Sequence, residues 1–444
     1  MKKQILLLPL SVTVGLILAL GFVLGLDPSG TIMAASSAPE ASTLATIRAE
    51  DPVEVSGSAL ASLAGVPIAE LAVYAFDGST WAPIPFQIDE VDASGAYTST
   101  EDRLVDANDV LVFMARDLGV GAPVSEWPAD AQARTHYRQA LRAVDPLSDA
   151  SGIVYVYRST TLARSATSYV AWDQNAQSLT TPVFSTGFDP ANFIGLANLS
   201  LHGGPDVLDR QKTRIAVKVF GLTLNYDEEQ ISSNFGIPAT ISFPVQGPVR
   251  VIRGGGTLNV ALYRERFSFQ TNLDTSGFTT GSVDELRTSL DLNDPATTGL
   301  TQFFDSNGSA VPIDGTPDAL TGADLFKWYQ VSGDASGPGG MVVAFPNLGV
   351  GKGSAANYYA DTLAAVSGDT GDQKSFADTG LTIIQPAGLA SVTLAGMILP
   401  QSATANVGQS IYDRTVTPIT VQVSAAPYLD PATLQEIFLP LLQR

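Results

Sequence analysis

Thr213-Arg-Ile-Ala-Val-Lys-Val-Phe220 sets apolar Ile215, Val217 and Val219 against Arg214, Ala216 and Lys218. A period of two gives a strand one buried and one wet face, which a helix of 3.6 residues per turn cannot do. The pattern spreads outward from there. Ala239-Thr-Ile-Ser-Phe243, Val249-Arg-Val-Ile-Arg253, Asn259-Val-Ala-Leu-Tyr263 and Phe267-Ser-Phe269 repeat it at short intervals. Upstream, Val53-Glu-Val55 and Leu71-Ala-Val-Tyr-Ala-Phe76 do the same, the latter closed by the hairpin signal Asp77-Gly78. Val110-Leu-Val-Phe-Met-Ala115 is apolar throughout and flanked by Asp109 and Asp117, as suits a strand covered on both faces.

Composition agrees with many short strands. Gly (40) and Pro (27) are frequent and only 15% of residues are charged, so turns outnumber long solvated helices. The sequence therefore predicts an all-β chain: an N-terminal β-barrel followed by a large antiparallel β-sandwich, with few short helices. The expected order is a signal peptide or N-terminal anchor over 1–34, a linker over 35–47, the barrel over 48–150, the sandwich over 151–427 and a C-terminal helix over 428–444. A short capped helix is also expected at Ser282-Val-Asp-Glu285-Leu-Arg-Thr-Ser-Leu290, where Ser282 precedes Glu285 by three positions. Tyr137 to Val144 and Gly152 to Tyr157 read as a hairpin across Asp145-Pro146.

Lys2 and Lys3 precede an uncharged run from Ile5 to Leu26, the arrangement of an export signal. Small residues at Ala34, Ala35 and Ala38 offer cleavage sites, while the run is long enough to remain as an anchor. Either outcome places the remainder extracellularly, in a periplasm or on a cell surface. The chain has no Cys, which removes disulfides and lipoprotein anchoring. Its formal charge of −20 opposes binding to nucleic acid or anionic lipid.

Several chemistries are excluded by inspection. Gly-x-Ser-x-Gly, His-Glu-x-x-His and a phosphate loop are absent, and His136 and His202 are the two histidines. The densest reactive patch is Leu201-His202-Gly-Gly-Pro-Asp206-Val-Leu-Asp209-Arg210-Gln-Lys212-Thr-Arg214. For an enzyme, its candidate catalytic residues are His202, Asp206, Asp209, Arg210, Lys212 and Arg214, with Tyr226 nearby. Guanidinium pairs with a carboxylate or sugar acid, and His202 or Tyr226 would move protons. The competing reading is a set of internal ion pairs fixing a loop and strand edge.

A second group, Trp81, Gln87, Asp89 and Glu90, joined by Trp328, supplies aromatic faces and polar edges for glycan binding. Asp106, Asn108 and Asp109 are oxygen donors at close spacing, a weak calcium pattern that departs from an EF-hand at Val110 and Leu111. Their competing role is turn capping.

Trp81-x-Pro-x-Pro-Phe86-Gln87-Ile88-Asp89-Glu90 and Asp106-x-Asn108-Asp109-Val-Leu-Val-Phe113-Met-Ala115-Arg-Asp117 resemble the N-terminal barrel of uncharacterised exported prokaryotic β proteins. That module is distantly similar to the leading barrel of exo-rhamnogalacturonan-lyase-like proteins. Val207-Leu-Asp209-Arg210-x-Lys212-x-Arg214, Gly247-Pro-Val-Arg250 and Tyr358-Tyr-Ala-Asp361 extend the resemblance across residues 52–425. It implies architecture and an extracellular setting, and it places no lyase catalytic residue.

The first functional expectation is thus an exported or surface-anchored non-catalytic β protein binding a glycan or cell-envelope component. The alternatives are a polysaccharide-active lyase or hydrolase built on the His202–Arg214 patch, and a structural envelope component. No cofactor is expected beyond calcium.

Overall fold

The computed structural model describes residues 43–430, apart from 101, 189–194, 236–242, 254–257, 278–280, 335–336, 366–368 and 425–428. The expected export segment over 1–34 and, apart from residues 429 and 430, the expected C-terminal helix over 428–444 lie outside the described residues. The described residues form one compact unit. Among the described residues no helix is long and apolar enough to cross a membrane.

The chain is all-β with antiparallel sheets. Its N-terminal part has two. Pro52–Ser56, Val110–Met114 and Phe86–Asp89 form a three-stranded sheet with Val110–Met114 in the centre. Leu71–Phe76, Trp81–Pro83, Gln139–Val144 and Ser151–Arg158 form the second, which Thr420–Val423 completes by pairing with Gln139–Val144. A strand some 280 residues downstream in sequence, as the Thr420↔Val144 pairing shows, thus closes the N-terminal sheet (~280 is the span).

The unbroken apolar run at Val110–Met114 has a direct cause. Leu111 and Phe113 join the core between the two N-terminal sheets, with Val53, Leu71 and Val154. Val112 and Met114, on the other face, pack against Val249 and Tyr263 of the following region. Both faces are dry, so alternation disappears.

The larger region has three sheets. The broadest runs Val251–Arg253, Leu258–Leu262, Arg266–Asp274, Leu389–Leu399, Gly340–Ala344, Trp328–Gly333 and Leu300–Asp305, with shorter strands at its edges. A five-stranded sheet runs Leu222–Tyr226, Leu208–Val219, Gly281–Leu292, Ser375–Ile384 and Ser354–Thr362. Leu196–Leu201, Phe184–Phe188, Ser178–Thr180 and Ala171–Asp173 make the third. Their inner faces share one core in which Phe267, Phe303, Phe376, Val331 and Leu381 are buried. Each such side chain contributes about 1.5–3 kcal/mol on burial.

Ser282–Leu290 is a strand, not the expected helix. It belongs to Gly281–Leu292, paired with Leu208–Val219 on one side and Ser375–Ile384 on the other. Ala216 faces Glu285 while Val217 faces Val283, so Asp284 is an extra, bulged residue. The bulge widens the spacing of buried Val283 and Leu286 to three, which imitates a helical period. Tyr137–Tyr157 forms the expected hairpin, preceded by the four-residue helix Ala131–Arg134 that Asp130 caps through Ala133 N. The expected linker ends in another short helix, Thr43–Ile47.

Candidate functional site

The Leu208–Val219 strand begins with a second bulge. Leu208 faces Leu292 and Arg210 faces Asp291, leaving Asp209 without its own partner position. In a regular strand Asp209 and Gln211 would share one face and Arg210 the other. Here all three line a recess of about 50 Å³, together with Gly195, Leu196, Ala197 and Glu228. Bulges commonly re-aim side chains in this way.

Each member is held from a different part of the chain. Asp209 Oδ1 accepts from Asp372 N at 3.2 Å. Gln211 Oε1 accepts from Leu196 N at 3.1 Å, and the absence of a side chain at Gly195 leaves room for it. Arg210 Nη1 donates to Glu229 Oε1 at 3.0 Å and Glu228 Oε1 at 3.3 Å. Glu228 also accepts from Arg214 Nη1, Thr370 Oγ1 and, at 3.3 Å, Thr213 N. Three buried polar atoms in this lining have no hydrogen-bond partner: Asp209 Oδ2, Arg210 Nε and Gln211 Nε2. Burial, reinforced by the neighbouring charge of Asp372, raises the Asp209 carboxyl above the usual range, although Lys212 and Arg210 pull the other way.

The remaining residues of the patch stand elsewhere. His202 occupies a left-handed turn, φ 50°, and its Nε2 donates to the Leu399 carbonyl at 2.8 Å. Asp206 Oδ1 accepts from Leu199 N and Leu208 N at 2.8 and 3.1 Å, which ties the turn before the strand. Tyr226 is half-buried against the large core, opposite Ile215. Lys212 and Arg214 point into an ion network beside the recess. Lys212 Nζ lies 2.6 Å from Asp291 Oδ2, 2.6 Å from Asp369 Oδ2 and 3.9 Å from Asp378 Oδ2. Arg214 Nη2 donates to Asp369 Oδ1 at 2.8 Å and Thr370 Oγ1 at 2.9 Å.

The second predicted group is dispersed. Trp81 packs edge-on to Tyr155 and Tyr157, with centroids 5.1 and 5.7 Å away. Trp328 is buried over Gly408, its Nε1 donating to Gln409 Oε1 at 3.2 Å. Gln87 Oε1 receives the Val249 and Arg250 amides at 2.9 Å, and Asp89 receives Arg250 Nη2 at 2.6 Å. These two fasten the N-terminal part to the larger one. Glu90 is half-buried at the end of the same strand. Around Asp106, the turn is capped internally: Asp109 Oδ2 accepts from Asp106 N at 2.7 Å, and Asn108 Nδ2 donates to the Val91 carbonyl. Among the described residues no group of three or more His, Cys, Asp or Glu side chains is placed to hold a metal.

Sequence reasoning missed Glu228, Asp291 and Asp378, whose positions relative to the patch depend on strand pairing, and read Asp369 and Asp372 as an acidic turn without placing them beside the patch. It also missed a wider cleft of about 290 Å³ bordered by Tyr97, Arg253, Asn259, Ser268 and Gln270. Exposed polar residues on a sheet face carry no local signal of such a cleft.

No protein-family model matches the chain, and no curated protein matches it. Among the solved structures that resemble it are two glycosidase-related proteins. One is an alpha-mannosidase from Enterococcus faecalis V583, with TM-score 0.43, 10% identity, and coverage of 84% of this chain and 44% of that one. The other is a protein in the glycosyl hydrolase family 38 from Enterococcus faecalis, with TM-score 0.42, 10% identity, and coverage of 84% and 45%. The chain thus spans less than half the length of either. The expectation of a non-catalytic glycan- or envelope-binding protein is corrected in so far as both solved structures are described as glycoside-processing proteins. A likeness of this degree transfers no residue, substrate or activity.

Proposed function

We propose that the chain is a polysaccharide-active enzyme, a glycoside hydrolase whose acid is Asp209. The observation that carries the reading is the recess at the Asp209 bulge, where one carboxyl oxygen and two N–H donors are buried without partners. Leaving such atoms unpaired costs about 1–3 kcal/mol each, which a hydroxyl-bearing ligand would recover. A volume of about 50 Å³ accepts the reacting edge of a sugar, with the rest of the polymer lying across the surface.

Asp209, favoured in its neutral form by burial and by Asp372, would protonate the glycosidic oxygen as the bond to the anomeric carbon breaks. Glu228, fixed as acceptor for two guanidinium groups, would stabilise the positive charge developing on the sugar before water adds. Two carboxyl groups in unlike surroundings are how acid and charge-stabilising roles are divided in such chemistry. Arg210 Nε and Gln211 Nε2 would orient sugar hydroxyls. A neutral glycan suits the formal charge of −20 better than a polyuronate, which the field would repel. The Lys2, Lys3 and Ile5–Leu26 leader supports action outside the cytoplasm, where such polymers occur.

The test is reducing-end release from a panel of neutral and uronate-containing polysaccharides by the full chain and by Asp209→Asn. Release from a neutral polymer, lowered about 10²–10⁴-fold by the substitution, supports the reading. No release from any polymer, undiminished activity in Asp209→Asn, or unsaturated product ends, the mark of a lyase, overturns it.

A further inference from the structure

Lys212 stands at the centre of a sealed polar pocket in the five-stranded sheet. Its side chain and that of Asp291 are 0% exposed, and Asp378 is 1% exposed. Lys212 lies on Leu208–Val219, Asp291 on the adjacent antiparallel Gly281–Leu292, and Asp378 on Ser375–Ile384 beyond it. Ser289 faces Lys212 directly, and two positions along a strand restores the same face, so Lys212 and Asp291 point to one side. Asp291 Oδ1 accepts from Phe376 N at 3.0 Å, which fixes the carboxyl with Oδ2 turned to Nζ at 2.6 Å. Asp378 is different: both its oxygens are buried and take no hydrogen bond. The Ser289 hydroxyl on the neighbouring strand stands beside this carboxyl, and Lys212 lies 3.9 Å away, so as an anion it is costly to bury.

We propose that Lys212 and Asp291 are joined by an intramolecular amide bond, with Asp378 as the proton-transfer group. Lys212 Nζ, as the neutral amine, attacks Cγ of protonated Asp291. The Nζ–Cγ bond forms and the Cγ–OH bond breaks. Asp378 takes a proton from Nζ and returns one to the departing hydroxyl, so that one water leaves and Asp378 ends as it began. No oxidant, metal or second substrate enters the balance.

The surroundings supply what the step needs. Two carboxyls sealed beside one amine cannot both hold charge cheaply, so a proton is retained between them. Burial and the charge of Asp378 push Asp291 up to about 9, the direction that makes its carbonyl carbon electrophilic. The flanking carboxylates raise Lys212, so the reaction draws on the neutral pair reached when one proton passes across 2.6 Å. Asp369 is equally near but is a poorer acceptor of attack. Its carboxyl is lowered by Lys212 and by Arg214, which stabilise the anion, after burial is overcome. Nothing in this linkage depends on the chemistry of the recess. A chain without Cys gains by it a covalent tie between neighbouring strands.

Tryptic mapping of the full chain by mass spectrometry tests the linkage. The expected product is a branched species joining Gln211–Arg214, uncut after Lys212, to Thr288–Lys327, lighter than the sum of the two by one water. Asp378→Asn, verified as folded by its circular dichroism, is expected to give the linear peptides with cleavage after Lys212. Three results would overturn the proposal: linear peptides of unaltered mass from the unsubstituted chain, a branch to the peptide carrying Asp369, or an undiminished branch in Asp378→Asn.

Discussion

A Cβ atom on Gly371 would lie 1.9 Å from Asp209 Oδ2. The two residues are 162 positions apart by their numbers, yet a side chain at 371 would overlap the Asp209 carboxyl. Gly371 also has φ 74°, a left-handed conformation that costs other residues about 1–2 kcal/mol. Gly371→Ala is therefore expected to lower the melting temperature and to displace the Asp209 carboxyl. Turnover should fall on the order of 100-fold, as small misplacements of a reacting group do. Melting curves and hydrolysis rates on one sample check this, and an unaltered rate would separate the turn from the recess.

Asp117 should make stability depend on pH between its two pKa values. Burial raises its carboxyl from 3.8 to about 6, although the Tyr169 hydroxyl donates to Oδ1 at 2.6 Å and Arg116 and Arg264 oppose the shift. The folded chain thus holds this proton more tightly than the unfolded one. Its contribution is full below pH 3.8, declines as pH rises, and is gone above about 6. The span corresponds to at most about 3 kcal/mol. Asp117→Asn should flatten that decline in urea melts taken from pH 3.5 to pH 7 (~ range set by the two pKa values). A slope identical to the parent's would show another group responsible.

Arg250 fastens the two parts of the molecule. Its Nη1 meets Glu54 at 2.5 Å and Tyr263 at 2.8 Å, its Nε and Nη2 meet Asp89 at 2.7 and 2.6 Å, and it is 1% exposed. Arg250→Ala leaves Asp89 buried without its charge partner, at an expected cost of about 3–5 kcal/mol. Replacing both residues, as Arg250→Met with Asp89→Leu, should recover much of that loss. Urea midpoints of the two variants and the parent provide the measurement. A single variant within about 1 kcal/mol of the parent would mean the network adds little.

The fold was largely legible because its signal is local. Alternation at Thr213–Phe220 and the flanked apolar run at Val110–Met114 each specify a strand without reference to any partner. The misreading at Ser282–Leu290 came from a bulge at Asp284, a feature created by pairing with Leu208–Val219. Part of the recess was legible too. Asp209 and Arg210 stand out as charges at the head of a strand, but Glu228 and Asp372 reach them from other segments, and Thr370 bonds Glu228 in turn.

Sequence by itself determined the alternation, the turn chemistry and the want of cysteine, since each is read from the residues and their local backbone preferences. Tertiary structure decided which charges meet. Lys212 finds Asp291 and Asp378, and Asp209 is turned into a recess, only because a bulged strand pairs with two others and the pocket closes over them. Once sealed from water, those groups interact far more strongly than the same residues would along an extended chain, and that strength arises from burial, which no stretch of sequence carries alone.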